Sequence, residues 1–103
     1  MQASLTPQQL AEHVRTAMYA NDGASQALGM QVVAISPTSA TVTMAVRADM
    51  LNGHATCHGG FITTLADSAF AFACNAGNEM TVASGLSIDF VAPVRLGDVL
   101  IAT

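Results

Sequence analysis

The chain has 103 residues, 51% hydrophobic and 10% charged, with a formal net charge of −4 and three arginines as its only basic side chains apart from histidine. That length allows one domain with a modest core, and without a basic patch a nucleic-acid partner is excluded. No apolar run approaches the roughly 20 residues of a membrane span and no basic-then-apolar leader opens the sequence, while so few charges on so apolar a chain favour an obligate oligomer.

In chain order, Thr6-Pro7-Gln8-Gln9 has the form of a helix start, with Thr6 as N-cap and Pro7 at the first helical position; Leu10, Val14 and Met18 continue it at i, i+4 spacing. Gln31 to Ile35 reads as a strand closed by Ser36-Pro37-Thr38. Ala40 to Val46 reads as a half-buried strand alternating onto Val42, Met44 and Val46. Asp49 to Gly60 is loop. A long helix is expected from about Gly60 to Ala76, because Ile62, Leu65, Ala66, Ala69, Phe72 and Ala73 recur at the period of a core-facing stripe; Gly77-Asn78 ends it. Met80 to Val91 is expected to return as strand, stopped by Pro93, and Leu96-Gly97-Asp98 turns the chain into a last apolar strand, Val99 to Ala102. Two strands, a long helix and further strands make an α+β pattern, an antiparallel sheet wrapped on one helix. The sequence is read as a single domain over 1–103 that stops inside a strand, so a C-terminally truncated domain lacking its last strands is expected.

Chemistry concentrates where the loop meets the long helix, around Asn52, Gly53, His54, His58, Gly59 and Gly60. Asp67 is the only charged residue between His58 and Asn78, and an acid in so apolar a helix is costly unless it is paired or used. Two readings stand. Asp67 is either satisfied by Thr63, Thr64 or Ser68, or it is a carboxylate aimed at an attacking water or acting as the nucleophile itself. Gly60, Thr64, Asp67, Ala71 and Cys74 share a second, mostly small helix face that a subunit or a ligand would approach closely. Gly59 and Gly60 are either turn residues or donors at a helix N-terminus, where unpaired N–H groups and the positive dipole end point outward. No Ser or Cys nucleophile is placed beside His58, so a hydrolase triad is unsupported. Cys57 and Cys74 read as reduced thiols. The run His54-x2-Cys57-His58 lacks a second ligand pair, so no metal is expected.

Asn52, then His58-Gly59-Gly60 six residues on, then Leu65-Ala66-Asp67 resemble the hot-dog-fold acyl-CoA thioesterases of the phenylacetic acid degradation type. The likeness continues through Ala69 to Asn75, Val82-Ala83-Ser84 and Ile88-Asp89-Phe90. Upstream it includes Met18-Tyr19, Asn21-Asp22 and Leu28-Gly29, covering most of residues 15–103. It implies a hot-dog domain and a cytoplasmic enzyme of phenylacetate catabolism. The reaction implied is hydrolysis of phenylacetyl-CoA or hydroxyphenylacetyl-CoA to CoA and the free acid.

On the same resemblance, Asp67 is base or nucleophile, the Gly59 N–H polarises the thioester carbonyl, and His58 fixes the geometry of Gly59. Asn52 hydrogen-bonds near the acid and the water; Ser87, with Ser84 as rival, orients that water, and Asp89 is a strand residue or a site member. Gly60, Phe61, Met50 and Arg95 fall on the substrate side. Phe61 and Met50 belong to an apolar acyl pocket, while Arg95, with Arg47, is a cation available to CoA phosphates. No cofactor is expected, CoA being part of the substrate. Related enzymes build their sites at a dimer interface, which implies a homodimer that completes the site and a homotetramer beyond it. The alternatives are a dehydratase or hydratase on the same fold, pairing His58 with Asp67, and a non-catalytic acyl-CoA-binding domain.

Overall fold

A computed structural model describes residues 4–103. The first helix, α1, spans Pro7–Ala20 and starts as its sequence dictates: Thr6 Oγ1 accepts from Gln9 N, and the Gln9 side chain accepts from Thr6 N, a reciprocal capping box with Pro7 behind it. It buries Ala11 and Val14 against the sheet. A short helix that periodicity does not reveal, α2 (Gly23–Ala27), follows, capped by Asp22 Oδ1 on Ser25 N at 2.9 Å.

Strands β1 (Gln31–Ser36) and β2 (Ser39–Ala45) form an antiparallel hairpin across Pro37-Thr38, with Ser36 opposite Ser39 and Gln31 opposite Thr43. The register slips between Val32 and Ala34, which leaves Val33 as the bulged residue and turns it to solvent. A single 3₁₀ turn, Ala48–Met50, leads into the loop before the long helix. Helix α3 runs Gly59–Asn75, within a residue of the expected bounds, and lies mainly across β2. The last strand, β3 (Val99–Ala102), pairs antiparallel with β2, so the sheet order is β1-β2-β3 and β2 is its centre.

The core is the meeting of α3 with β2. Leu65, Ala69, Phe72 and Ala76 come from the helix; Ala40, Val42, Met44 and Val46 come from alternate positions of the strand. These are the two stripes that period 3.6 and period 2 mark in the sequence. Helix α3 ends through Asn75 and Asn78. Asn75 Nδ2 donates to Ala71 O and Thr81 O while its Oδ1 accepts from Thr81 N, and Asn78 rather than Gly77 takes the left-handed conformation, at φ 62°.

One expected element is not a strand. Residues 80–91 pair with no described strand, and their apolar side chains apart from Ile88 stand in the open, Met80 at 96% and Val91 at 94% exposure. The β-type composition is real, but a strand exists only through a ladder, and no described backbone lies alongside to supply one. Backbone pairing resumes where Val94 O accepts from Cys57 N at 2.7 Å. Val46 then exchanges backbone hydrogen bonds with Asp98 and Gly97.

Removing the Phe72 ring, fully buried at the helix–sheet contact, should cost about 3–5 kcal/mol, whereas Thr6→Ala should cost about 1 kcal/mol by loss of the α1 cap. Urea titration of both variants checks that order.

Candidate functional site

Before α3 the backbone folds into a small closed loop. Leu51 bridges Cys57, Asn52 N donates to Thr56 O at 2.8 Å, and Ala55 N donates to Asn52 O at 3.1 Å. The Asn52 side chain organises this loop: its Oδ1 accepts from His54 N (2.9 Å), Thr56 N (3.2 Å) and Thr56 Oγ1 (3.1 Å), and its Nδ2 makes no hydrogen bond among the described residues. The left-handed residue here is Ala55, at φ 60°, although Gly53 is the loop's only glycine. The convergence on Asn52 Oδ1 holds a conformation that costs an alanine about 1–2 kcal/mol.

The helix start is fixed from both sides. Cys57 N bonds Val94 O at 2.7 Å and His58 N bonds Met50 O at 2.8 Å, with His58 as the N-cap of α3. The His58 side chain caps nothing and is exposed, so its contribution to Gly59 geometry comes through its backbone. No described acceptor takes the N–H of Gly59 or of Gly60. Two donors therefore stand free at the positive end of a 17-residue helix. His58, Gly60, Phe61 and Thr64 line one open cavity of about 480 Å³ beside this end, and Gly59 lines another of about 290 Å³ with Ile62, Phe90 and Val94.

Asp67 lies two turns further along, exposed and without a hydrogen bond or ion pair among the described residues. The hydroxyls that were its potential satisfiers are engaged elsewhere. Thr63 Oγ1 donates to Gly59 O and Thr64 Oγ1 to Gly60 O, both at 2.8 Å, and Ser68 Oγ pairs with Ser25 Oγ at 3.1 Å. None of the three hydroxyls reaches Asp67, and the carboxylate, expected to be costly on so apolar a helix, is instead exposed and needs no protein partner.

Asn52, His58, Gly59, Gly60 and Phe61 thus gather at the loop–helix junction. Ser87 and Ser84 do not join them through any hydrogen bond, because both lie exposed in the unpaired segment, as does Asp89. Met50, expected in an acyl pocket, is instead fully buried in the core, where it packs beneath the loop and gives its carbonyl to His58. Arg47 is committed to a two-pronged pair with Asp49 (3.0 and 3.2 Å) and to Ala27 O. Arg95 is exposed, and its guanidinium has no partner among the described residues. Sequence reasoning gave no reason to single out Thr56, the main partner of Asn52, or the ring of Phe90 against Gly59. Both contacts arise from tertiary placement. Burial pushes the Cys57 thiol above its ordinary pKa, and its Sγ donates weakly to His58 O.

Comparison with known proteins gives a consistent family. The thioesterase superfamily model matches residues 54–103. The acyl-coenzyme A thioesterase PaaI of Escherichia coli K12 is 51% identical over 87 residues, which is 84% of this chain and 62% of that protein. The chain therefore spans less than two thirds of that relative's length. Among solved structures, E. coli PaaI from the phenylacetic acid degradation operon superposes with a TM-score of 0.91 at 45% identity, covering 93% of this chain and 70% of that one. A protein of Thermus thermophilus gives 0.74 at 42% identity, over 78% and 68% respectively.

Asn52→Ala should destabilise the chain by roughly 1–2 kcal/mol, since three donors lose one partly buried acceptor, while Asn52→Asp keeps the acceptor and the fold; thermal melts of the two variants should separate accordingly. Cys57, with its raised pKa, should alkylate more slowly in the native state at pH 8 than in urea, because the thiolate is the reactive form. The sign for stability follows from the same shift. The neutral thiol's contribution is complete below the ordinary thiol pKa and is lost as pH rises through the higher folded value, a loss that Cys57→Ala should lack.

Proposed function

The chain belongs to the thioesterase superfamily, in its phenylacetic acid degradation (PaaI) type, and on that premise we propose that it hydrolyses an acyl-CoA thioester to CoA and the free acid. The relative at 51% identity is an acyl-coenzyme A thioesterase, and the E. coli structure comes from the phenylacetic acid degradation operon. The substrate we assign is accordingly an aryl-acetyl-CoA, phenylacetyl-CoA or its hydroxylated form. The observation that carries the mechanism is that, among the described residues, the Asp67 carboxylate has no partner and the Gly59 N–H at the start of the same helix is unbonded.

In this reading the Gly59 N–H, at the positive helix end, donates to the thioester carbonyl oxygen and stabilises it as it becomes an oxyanion. Asp67 takes the proton of a water attacking the carbonyl carbon, or attacks directly to give an acyl anhydride that water then opens. Either way the C–S bond breaks, the CoA thiolate leaves and is protonated, and a carboxylic acid forms. Asn52 Nδ2 is available to the water, with Ser87 or Ser84 as its second holder. Phe61 and Gly60 face the substrate, and Arg95 meets the phosphates. CoA is substrate, and no cofactor takes part.

Eight residues separate Gly59 from Asp67, about 12 Å along the axis at ~1.5 Å per residue. A donor on the carbonyl oxygen and a carboxylate serving the adjacent carbon both need to lie within a few ångströms of one group. One helix does not bring them there. Two antiparallel helices across a twofold do, with Gly59 of one subunit facing the second subunit's carboxylate. The protein then works in the cytoplasm as a homodimer that completes two sites, assembled into a homotetramer.

Asp67→Asn should keep the fold and lose roughly two to four orders of magnitude in kcat for phenylacetyl-CoA, measured as thiol release. Co-expressing Asp67→Ala chains with Gly59→Pro chains should restore about a quarter of wild-type activity. Half of randomly paired dimers are mixed, and each mixed dimer has one intact site of two. A mixture that stays dead although both chains fold would discard the shared site.

A further inference from the structure

Gly59 does not have the positive φ that makes glycine obligatory in a turn. What occupies the place of its side chain is another residue. A Cβ built on Gly59 would lie 2.8 Å from both Cε2 and Cζ of Phe90 and 3.4 Å from Cδ2, so the Phe90 ring rests directly on the helix start. That ring is one wall of the 290 Å³ cavity, which Ile62, Cys57, Thr56 and Val94 complete. The segment carrying it is held nearby, because Val94 O accepts from Cys57 N at 2.7 Å, four residues beyond Phe90. Yet the ring is 54% exposed, and it contributes nothing to the buried core. A large apolar side chain seated against the residue that carries a free backbone donor forms part of the surface that a ligand of that donor meets.

We infer that Phe90 is a specificity-determining residue: its ring, seated on Gly59, walls the cavity beside the donor N–H and favours an acyl group ending in a flat ring over a bulkier one. The inference rests on the thioesterase reading and deepens it. The cavity, about 290 Å³ and open to solvent, takes an aryl ring with its short linker, and the Phe90 ring is its wall against Gly59. The same wall offers an aryl acyl group an offset or edge-to-face partner, which a straight aliphatic chain does not exploit. It also gives Gly59 a second reason to be glycine, since any side chain there would displace the ring.

The test uses the full-length protein and compares kcat/KM for acetyl-, phenylacetyl- and naphthylacetyl-CoA. Phe90→Ala should raise the naphthylacetyl-to-phenylacetyl ratio by about tenfold or more, with Phe90→Leu between it and wild type. Gly59→Ala should slow phenylacetyl-CoA hydrolysis, and adding Phe90→Ala to it should recover part of the loss, because the new methyl no longer meets a ring. Phe90→Leu keeps an apolar side chain and guards the comparison against a poorly folded alanine variant. A ratio within twofold of wild type in both Phe90 variants, or a double variant no faster than Gly59→Ala, overturns the inference. Wild-type protein that hydrolyses none of the three esters overturns the thioesterase reading instead.

Discussion

Everything at the candidate site depends on how the first turn of α3 is held. Two backbone hydrogen bonds, Cys57 N to Val94 O and His58 N to Met50 O, use the donors just before the helix and leave those just inside it free. A helix start always has unpaired N–H groups; here the chain fixes their direction, and no acceptor among the described residues is committed to Gly59 and Gly60. The Asn52 loop serves the same end. By gathering three donors on one oxygen, it holds the strained Ala55 conformation and closes the loop across Leu51 and Cys57.

The second constraint is electrostatic and subtractive. An isolated carboxylate on an apolar helix is tolerated where it reaches solvent or a partner, and Asp67 is exposed. The neighbouring hydroxyls turn inward, to the carbonyls of Gly59 and Gly60 and to Ser25. Those bonds satisfy backbone and core polarity while keeping the carboxylate unshared. Helical geometry then makes the donor end and the acid end of α3 too distant for one reacting group, so the chemistry we propose belongs to a pair of chains.

The segment from residue 80 to 91 shows how far intrinsic preference goes without a ladder. Val82, Phe90 and Val91 are strand-type residues, yet all are exposed and none pairs with a described strand. Side-chain preference selects an extended backbone; only a neighbouring strand turns it into a sheet. The bonds that do order this region belong to its ends, at Asn75 with Thr81 and at Val94 with Cys57.

Much of this protein is legible in its sequence because the relevant rules are local. The capping box at Thr6, the two-residue turn at Pro37-Thr38, the stripe through Leu65, Ala69 and Phe72, and the Leu96-Gly97-Asp98 turn all follow from spacing and propensity within a few residues. The family resemblance was equally legible, since its motif lies in one continuous run from Asn52 to Asp67. Tertiary structure alone decided which polar groups are committed. It sent Met50 to the core, bound Arg47 to Asp49, removed the hydroxyl partners from Asp67 and laid Phe90 on Gly59. Two of those outcomes, Phe90 on Gly59 and Ser68 with Ser25, join residues far apart in sequence; the bonds of Thr63, Thr64 and Arg47 are local, but which of several near partners each takes is settled only in the folded chain. A pattern of residue types can name the competitors; the distances between them choose the winner.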